Sequence, residues 1–480
     1  MPKPNLVVKS ATWSTIATVI ITVCQVTQLV VLGRLLTPEM FGVMAILMVI
    51  VSFCDYFSQM GIGEAVIQEK NIKPYELTTL FWLNNFLGLV MFCLLIIFNK
   101  VADYYYATAV YEFVPFIAVS LLITPLSTIY KALLQKELQI KNIAVAEIFG
   151  ALVGTTGAIL LAMKGYELWA LIWGYLLKII VTNILVIISA KSLLKLEFVF
   201  KFNRVKRYLS FGVHLLFSNL LNFINSRIDQ VIIGAVLGTQ ALGYYSMAFN
   251  LVIQPISKIN PIVTRIAFPL MAKVSNDTKK LKDTYFKVLN IVATINAPIL
   301  MGFIAIAPIL IPFALGDKWV PIIPIVQILS LYTLIRSIGN PGGSLVMAVG
   351  RSDILFYWNL LLSFLIPLVL YLTAIQYGLM GVAYGLFILQ FILYFLWYFF
   401  VVVRILNNVF KLYVFSIFTP LFISFVMFLV LYFMNAKLIM QEGVMNLFIL
   451  FTAGGGVYIV LSLLLRKNEV EQLLKVLKQK

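Results

Sequence analysis

Apolar runs of about twenty residues follow one another from residue 10 to residue 465, separated by short polar segments. Each is long enough to cross a hydrocarbon core of about 30 Å as a helix. The chain is 62% hydrophobic and 11% charged, with a mean hydropathy of +1.01. That leaves too little polar surface to cover a soluble core. The fold class read from this is an all-α polytopic membrane protein. Fourteen spans are expected, near 10–32, 40–62, 78–98, 110–130, 143–163, 168–190, 208–237, 241–267, 286–313, 321–349, 354–375, 379–403, 412–434 and 444–465.

Lys and Arg set the orientation. With the N-terminus inside, the inner segments hold 26 of the 36 basic residues and the outer segments 5. The formal charge of +17 therefore reads as inward topology and attraction to anionic membrane lipids. It does not read as nucleic-acid binding, because no basic-aromatic platform accompanies it. Outer connections are as short as Gly238-Thr239-Gln240 and Tyr377-Gly378. The inner segment 191–207 is strongly basic and is expected to lie along the membrane surface. Leu193, Leu194, Leu196, Phe198, Val199 and Phe200 would then dip in. In the tail, Val470, Leu473, Leu474 and Leu477 fall at helical spacing, which fits an interfacial helix or a solvated tail.

The chain repeats itself at an offset of 201. Val30-Val31-Leu32-Gly33-Arg34-Leu35-Leu36 leads to Phe41-Gly42, and Val231-Ile232-Ile233-Gly234-Ala235-Val236-Leu237 leads to Leu242-Gly243. Six spans separate the copies, so both cross in the same sense and the repeat is parallel. The expected organisation is an N-terminal lobe (1–190), a basic cytoplasmic linker (191–207), a C-terminal lobe (208–410), two further spans (411–465) and a cytoplasmic tail (466–480).

Polar residues inside the spans carry the functional signal. Span one has Thr15, Thr18, Thr22 and Gln25 on one helical face, with Gln28 a turn beyond; span seven has Ser218, Asn222, Asn225 and Asp229. Two such stripes, at Thr18, Gln25 and Gln28 and at Asn222 and Asn225, predict a hydrated lumen. The alternative is ordinary interhelical hydrogen bonding. Lys178, Arg227 and Arg336 lie nearest the middles of spans six, seven and ten. A cation there costs on the order of 3 kcal/mol, so it needs a partner or water. Asp55, Asp229, Glu64 and Glu147 are the candidate counter-charges. An excess of positive groups facing a lumen attracts an anion such as a phosphate or diphosphate; internal ion pairs, or snorkelling of Lys178, are the alternatives. After Arg336, Asn340-Pro341-Gly342-Gly343 interrupts span ten, a hinge or a plain kink. Cys24, Cys54 and Cys93 all lie in apolar runs and His214 is the one histidine, so no disulfide, metal site or cofactor is expected.

Several segments carry a family resemblance. They are Gly61-Ile62-Gly63-Glu64-Ala65-Val66-Ile67-Gln68; Arg227-Ile228-Asp229 with Ile233-Gly234 and Leu242-Gly243-Tyr244-Tyr245-Ser246; Arg265-Ile266-Ala267-Phe268-Pro269-Leu270-Met271-Ala272; Leu315-Gly316-Asp317-Lys318-Trp319; and Ala348-Val349-Gly350-Arg351. In this order, across roughly residues 10–410, they resemble the polysaccharide transporter (Wzx-like) family of the MOP flippase superfamily. The subgroup of colanic-acid and teichuronic-acid exporters is the most similar.

The resemblance implies a MOP flippase fold, with two six-helix lobes plus two C-terminal helices. It implies export of undecaprenyl-diphosphate-linked sugar repeat units across the bacterial inner membrane by alternating access. Both termini would be cytoplasmic, and the pathway's polymerase and glycosyltransferases are candidate partners. Arg336, Arg227 and Lys178 would attract the diphosphate. Asp229 and Glu64 become candidates for gating or for a coupling ion, H+ or Na+, which the residues do not choose between. Alternatives are a peptidoglycan-precursor flippase and a drug exporter of the multidrug and toxic compound extrusion type. A glycosyltransferase or polymerase is disfavoured because no paired carboxylates occupy the short outer loops, and no enzymatic activity is expected.

Overall fold

A computed structural model describes residues 4–106, 110–194, 196–197, 202–407, 409–438 and 444–466. All regular structure among them is helical, and the chain divides into two compact units, Met1–Gly234 and Ala235–Lys480. The first contains α1 (Pro4–Leu35), α2 (Pro38–Gln59), α3 (Ile62–Gln68), α4 (Pro74–Tyr106), α5 (Val110–Ala118), α6 (Ser120–Lys136), α7 (Ile140–Met163) and α8 (Glu167–Ala190). It also contains α9 (Phe202–Lys273) as far as Gly234. The second contains the rest of α9, then α10 (Thr278–Leu315), α11 (Ile323–Gly339), α12 (Pro341–Ala348), α13 (Ser352–Trp397), α14 (Val403–Leu406), α15 (Phe410–Leu438) and α16 (Val444–Leu465).

Twelve helical stretches are long and apolar enough to cross a membrane. Two of them, Asn219–Lys273 and Ser352–Leu406, have 55 residues each, about 80 Å of helix and far more than one bilayer needs. Each contains a glycine with non-helical dihedrals, Gly238 (φ 84°, ψ 178°) and Gly378 (φ 60°, ψ −150°). These are the glycines of the two short turns expected from the sequence, and only a residue without Cβ adopts such angles cheaply. Divided there, the stretches give the fourteen crossings expected.

In the first unit the apolar core forms two clusters. One gathers Leu47, Val51 and Cys54 of α2, Leu121 of α6, and Leu171, Ile172 and Leu176 of α8. The other gathers Ile62 and Val66 of α3, Ile129 and Leu133 of α6, and Val186 and Ala190 of α8. Between these contributions the same stretches of chain carry polar residues: Asp55 and Gln59, then Thr124 and Ser127, then Lys178 and Asn183. The two apolar layers therefore enclose a polar level.

Close packing of α7 on α8 fixes one wall of it. A Cβ on Gly150 would lie 2.8 Å from the Lys178 carbonyl oxygen, and one on Gly154 would lie 2.7 Å from both the Gly174 carbonyl oxygen and Lys178 Cβ. Small residues four apart let the two backbones touch. Within the expected linker, Leu194 enters the second cluster together with Val205 and Tyr208, rather than dipping into lipid. The Tyr208 hydroxyl donates to Glu76 Oε2 at 3.1 Å. Phe198, Val199, Phe200 and the tail beyond Arg466 lie outside the described residues.

In the second unit α10 packs on α15 and α16 around Ala305, Ile306, Met427, Leu431 and Leu450. Asn435 Nδ2 donates to the Ala305 carbonyl at 2.9 Å. The buried Arg466, just past α16, donates to Thr294 Oγ1 at 2.7 Å and to Asn290 Oδ1. These bonds clasp the last two spans to α10.

Candidate functional site

The polar level of the first unit opens into a cavity of about 680 Å3. Asp55, Glu64 and Glu147 line it with Lys131 and Lys178, and Gln59, Thr182 and Asn183 are among its neutral polar residues. Lys131 Nζ and Glu147 Oε1 form an ion pair at 2.8 Å. Asp55 Oδ2 accepts from Gln59 Nε2 at 2.8 Å, one helical turn away. Its Oδ1 is buried without a hydrogen-bond partner among the described residues. The Ser127 hydroxyl donates to Asn183 Oδ1. A smaller cavity of about 250 Å3 shares Asp55, Gln59 and Glu64 and adds Ser52, Tyr56 and Asn219.

Three of the four carboxylates expected as counter-charges thus converge around Lys178, and Glu64 is among them. With three acids and two ammonium groups, this lining carries no cationic excess. Lys131, one residue past the expected end of the span at 110–130, belongs to α6 and to this cavity. Two sequence signals point here: the Asp55/Gln59 spacing, and the small-residue series Gly150, Gly154 and Ala158 behind Lys178.

The span-one stripe makes local and interhelical bonds. Thr15, Thr18 and Thr22 each donate to the carbonyl four residues back in α1, at 3.0, 2.8 and 2.7 Å. Gln28 Oε1 accepts from Thr155 Oγ1 of α7 at 3.3 Å, an interhelical bond. Gln25 is half-buried, and Ile21 is the α1 residue lining the larger cavity. On α9, Asn222 is exposed, Asn225 half-buried and Asp229 buried, with Asp229 Oδ1 accepting from the Gln230 backbone N–H at 2.8 Å.

Arg227 lines a separate groove of about 460 Å3 between α2, α4 and α9. Every other residue of that lining is apolar, including Phe53, Cys54, Met91, Leu94 and Phe223. Arg227 Nη1 donates to Gln230 Oε1 at 3.3 Å. Arg336 belongs to the second unit; its Nη1 donates to the Tyr332 hydroxyl at 3.0 Å and its guanidinium lies 5.9 Å from that ring's centre.

The interruption after Arg336 is one residue wide. Asn340 keeps helical dihedrals (φ −53°, ψ −41°) between α11 and α12, and Pro341 opens α12. Gly342 is needed for packing, because a Cβ there would lie 2.3 Å from Trp397 Nε1, whereas around Gly343 there is open space.

Residues 31–324 match the model of a family described as polysaccharide biosynthesis protein. The chain is 32% identical over 418 residues to lipopolysaccharide biosynthesis protein WzxC of Escherichia coli (strain K12), covering 87% of this chain and 85% of that protein. It is 30% identical over 363 residues to teichuronic acid biosynthesis protein TuaB of Bacillus subtilis (strain 168), covering 74% and 73%. Among solved structures, lipid II flippase MurJ in an inward closed conformation matches with a TM-score of 0.74 at 15% identity, over 96% of this chain and 100% of that one. That likeness concerns the fold, which is the MOP flippase fold.

Proposed function

The chain belongs to the polysaccharide biosynthesis protein family, and from that membership we propose that it moves undecaprenyl-diphosphate-linked oligosaccharide repeat units across the bacterial inner membrane. The movement is alternating access between lobes 1–190 and 208–410, for assembly of a surface polysaccharide. Both termini face the cytoplasm, as the distribution of Lys and Arg supports.

The observation carrying this reading is that α2 separates two compartments. One is a polar cavity able to hydrate sugars, and the other an apolar groove holding the guanidinium of Arg227. A substrate with a polar head, a phosphate link and an apolar tail needs both. Arg227 and Arg336 attract the diphosphate, while Lys178 balances the carboxylates around it. Glu64, which shares a cavity with Asp55, is the better placed gating or coupling residue; Asp229 accepts from the Gln230 backbone N–H.

Complementation of cells lacking their native repeat-unit flippase tests the proposal. The wild-type chain restores polymer export, and Arg227→Ala with Arg336→Ala reduces it at equal protein level. Rescue of a peptidoglycan-precursor flippase instead, with no polymer export, would replace this substrate assignment.

A further inference from the structure

The groove beside Arg227 has a composition that a helix seam does not require. It is open, with Phe53, Leu94 and Phe98 41%, 53% and 65% exposed. Its one charged lining residue is Arg227, which forms no ion pair among the described residues; its hydrogen bond goes to a neutral amide. A guanidinium in an apolar wall is costly unless an anion or water meets it, and phosphate oxygens match its donor fork.

We propose that this groove is the subsite for the phosphate-proximal part of a polyprenyl chain, with Arg227 binding the adjoining phosphate. The proposal rests on the lipid-linked substrate assigned above and gives it a place. The groove, about 460 Å3 and open on one side, has room for an apolar chain segment beside the guanidinium. Phe223 closes the groove on the polar side. Its ring lies 5.8 Å from that of Phe53 and 5.5 Å from that of Tyr56, and Tyr56 lines the smaller polar cavity. Head and tail of one amphiphile would therefore sit on either side of α2.

The test is photolabelling of the full chain in lipid nanodiscs with a polyprenyl diphosphate carrying a diazirine on its proximal isoprene. Labelled peptides are then mapped. The expected label falls on segments containing Phe53, Met91 or Phe223, drops about tenfold in Arg227→Gln, and is partly restored in Arg227→Lys. Leu94→Trp, at the open side, fills the groove and blocks labelling while the protein keeps its melting temperature. Polyprenyl phosphate competes, and neutral polyprenol and phosphatidylglycerol do not.

Labelling elsewhere, labelling indifferent to Arg227, or equal competition by phosphatidylglycerol overturns the subsite. Polymer export without groove labelling removes the subsite and leaves the transport reading standing. Groove labelling without export of any repeat unit does the reverse.

Discussion

Cys54 and Asp55 are consecutive residues of α2, and they line cavities of opposite character: Cys54 the apolar groove with Arg227, Asp55 the polar cavity with Lys178. Consecutive positions on a helix point about 100° apart, so one helix can wall both compartments.

Thiol chemistry tests that partition. In a chain with Cys24, Cys54 and Cys93 replaced by alanine, Asp55→Cys should react with a hydrophilic maleimide. Native Cys54, alone in its own background, should react at least about tenfold more slowly, because its burial in the apolar lining limits access. Equal rates would place both residues in one environment.

The Lys131–Glu147 pair gives a second prediction. Both side chains are partly exposed, at 40% and 35%, so the pair contributes about 1 kcal/mol or less to stability. It lines the same cavity as Asp55 and Glu64, where charge balance is the role to test. Lys131→Glu should impair export, and adding Glu147→Lys should restore most of it. Failure of the exchanged pair at normal protein level would show that position, not balance, matters.

Two adjacent glycines should behave differently. Gly342→Ala drives a Cβ into the Trp397 indole and should cost about 1–3 kcal/mol, read as a lower melting temperature in detergent. Gly343→Ala meets open space in a helical segment and should be neutral or slightly stabilising. Equal effects would indicate that Gly342 serves a moving hinge and not a static contact.

At the start of α10, Asp277 accepts from the backbone N–H groups of Lys280 and Lys279, each at 3.1 Å, and pairs with Lys280 Nζ at 3.2 Å. The backbone bond from Lys280, foremost, holds its carboxyl below the usual range. A lowered carboxylate pKa stabilises the helix start above the unfolded value of about 3.9, and this is lost as pH falls through the folded value. Amide exchange at Lys279 and Lys280 should therefore quicken in Asp277→Ala at neutral pH, and the difference should vanish in strong acid.

Span number, and the turns at Gly238 and Gly378, are legible in the sequence because apolar length and glycine punctuation are local properties. The intramembrane charges are legible as residues but not as a constellation. Lys178 stands out in span six, yet its association with Asp55, Glu64, Lys131 and Glu147 depends on which faces of α2, α3, α6, α7 and α8 meet. The close packing at Gly150 and Gly154 decides that. The threonines of span one show a related ambiguity: a hydroxyl that satisfies the carbonyl four residues back has the same helical spacing as one lining water.

Transport in a purified system tests the central claim most directly. Vesicles carrying the protein and a fluorescent polyprenyl-diphosphate-linked oligosaccharide are sampled for sugar accessible to an added glycosidase, under H+ or Na+ gradients of either sign. Transfer is expected at least about tenfold faster than in empty vesicles, and slowed by Arg227→Ala with Arg336→Ala. Transfer no faster than in empty vesicles under every gradient, with the protein folded and inserted, would contradict the claim.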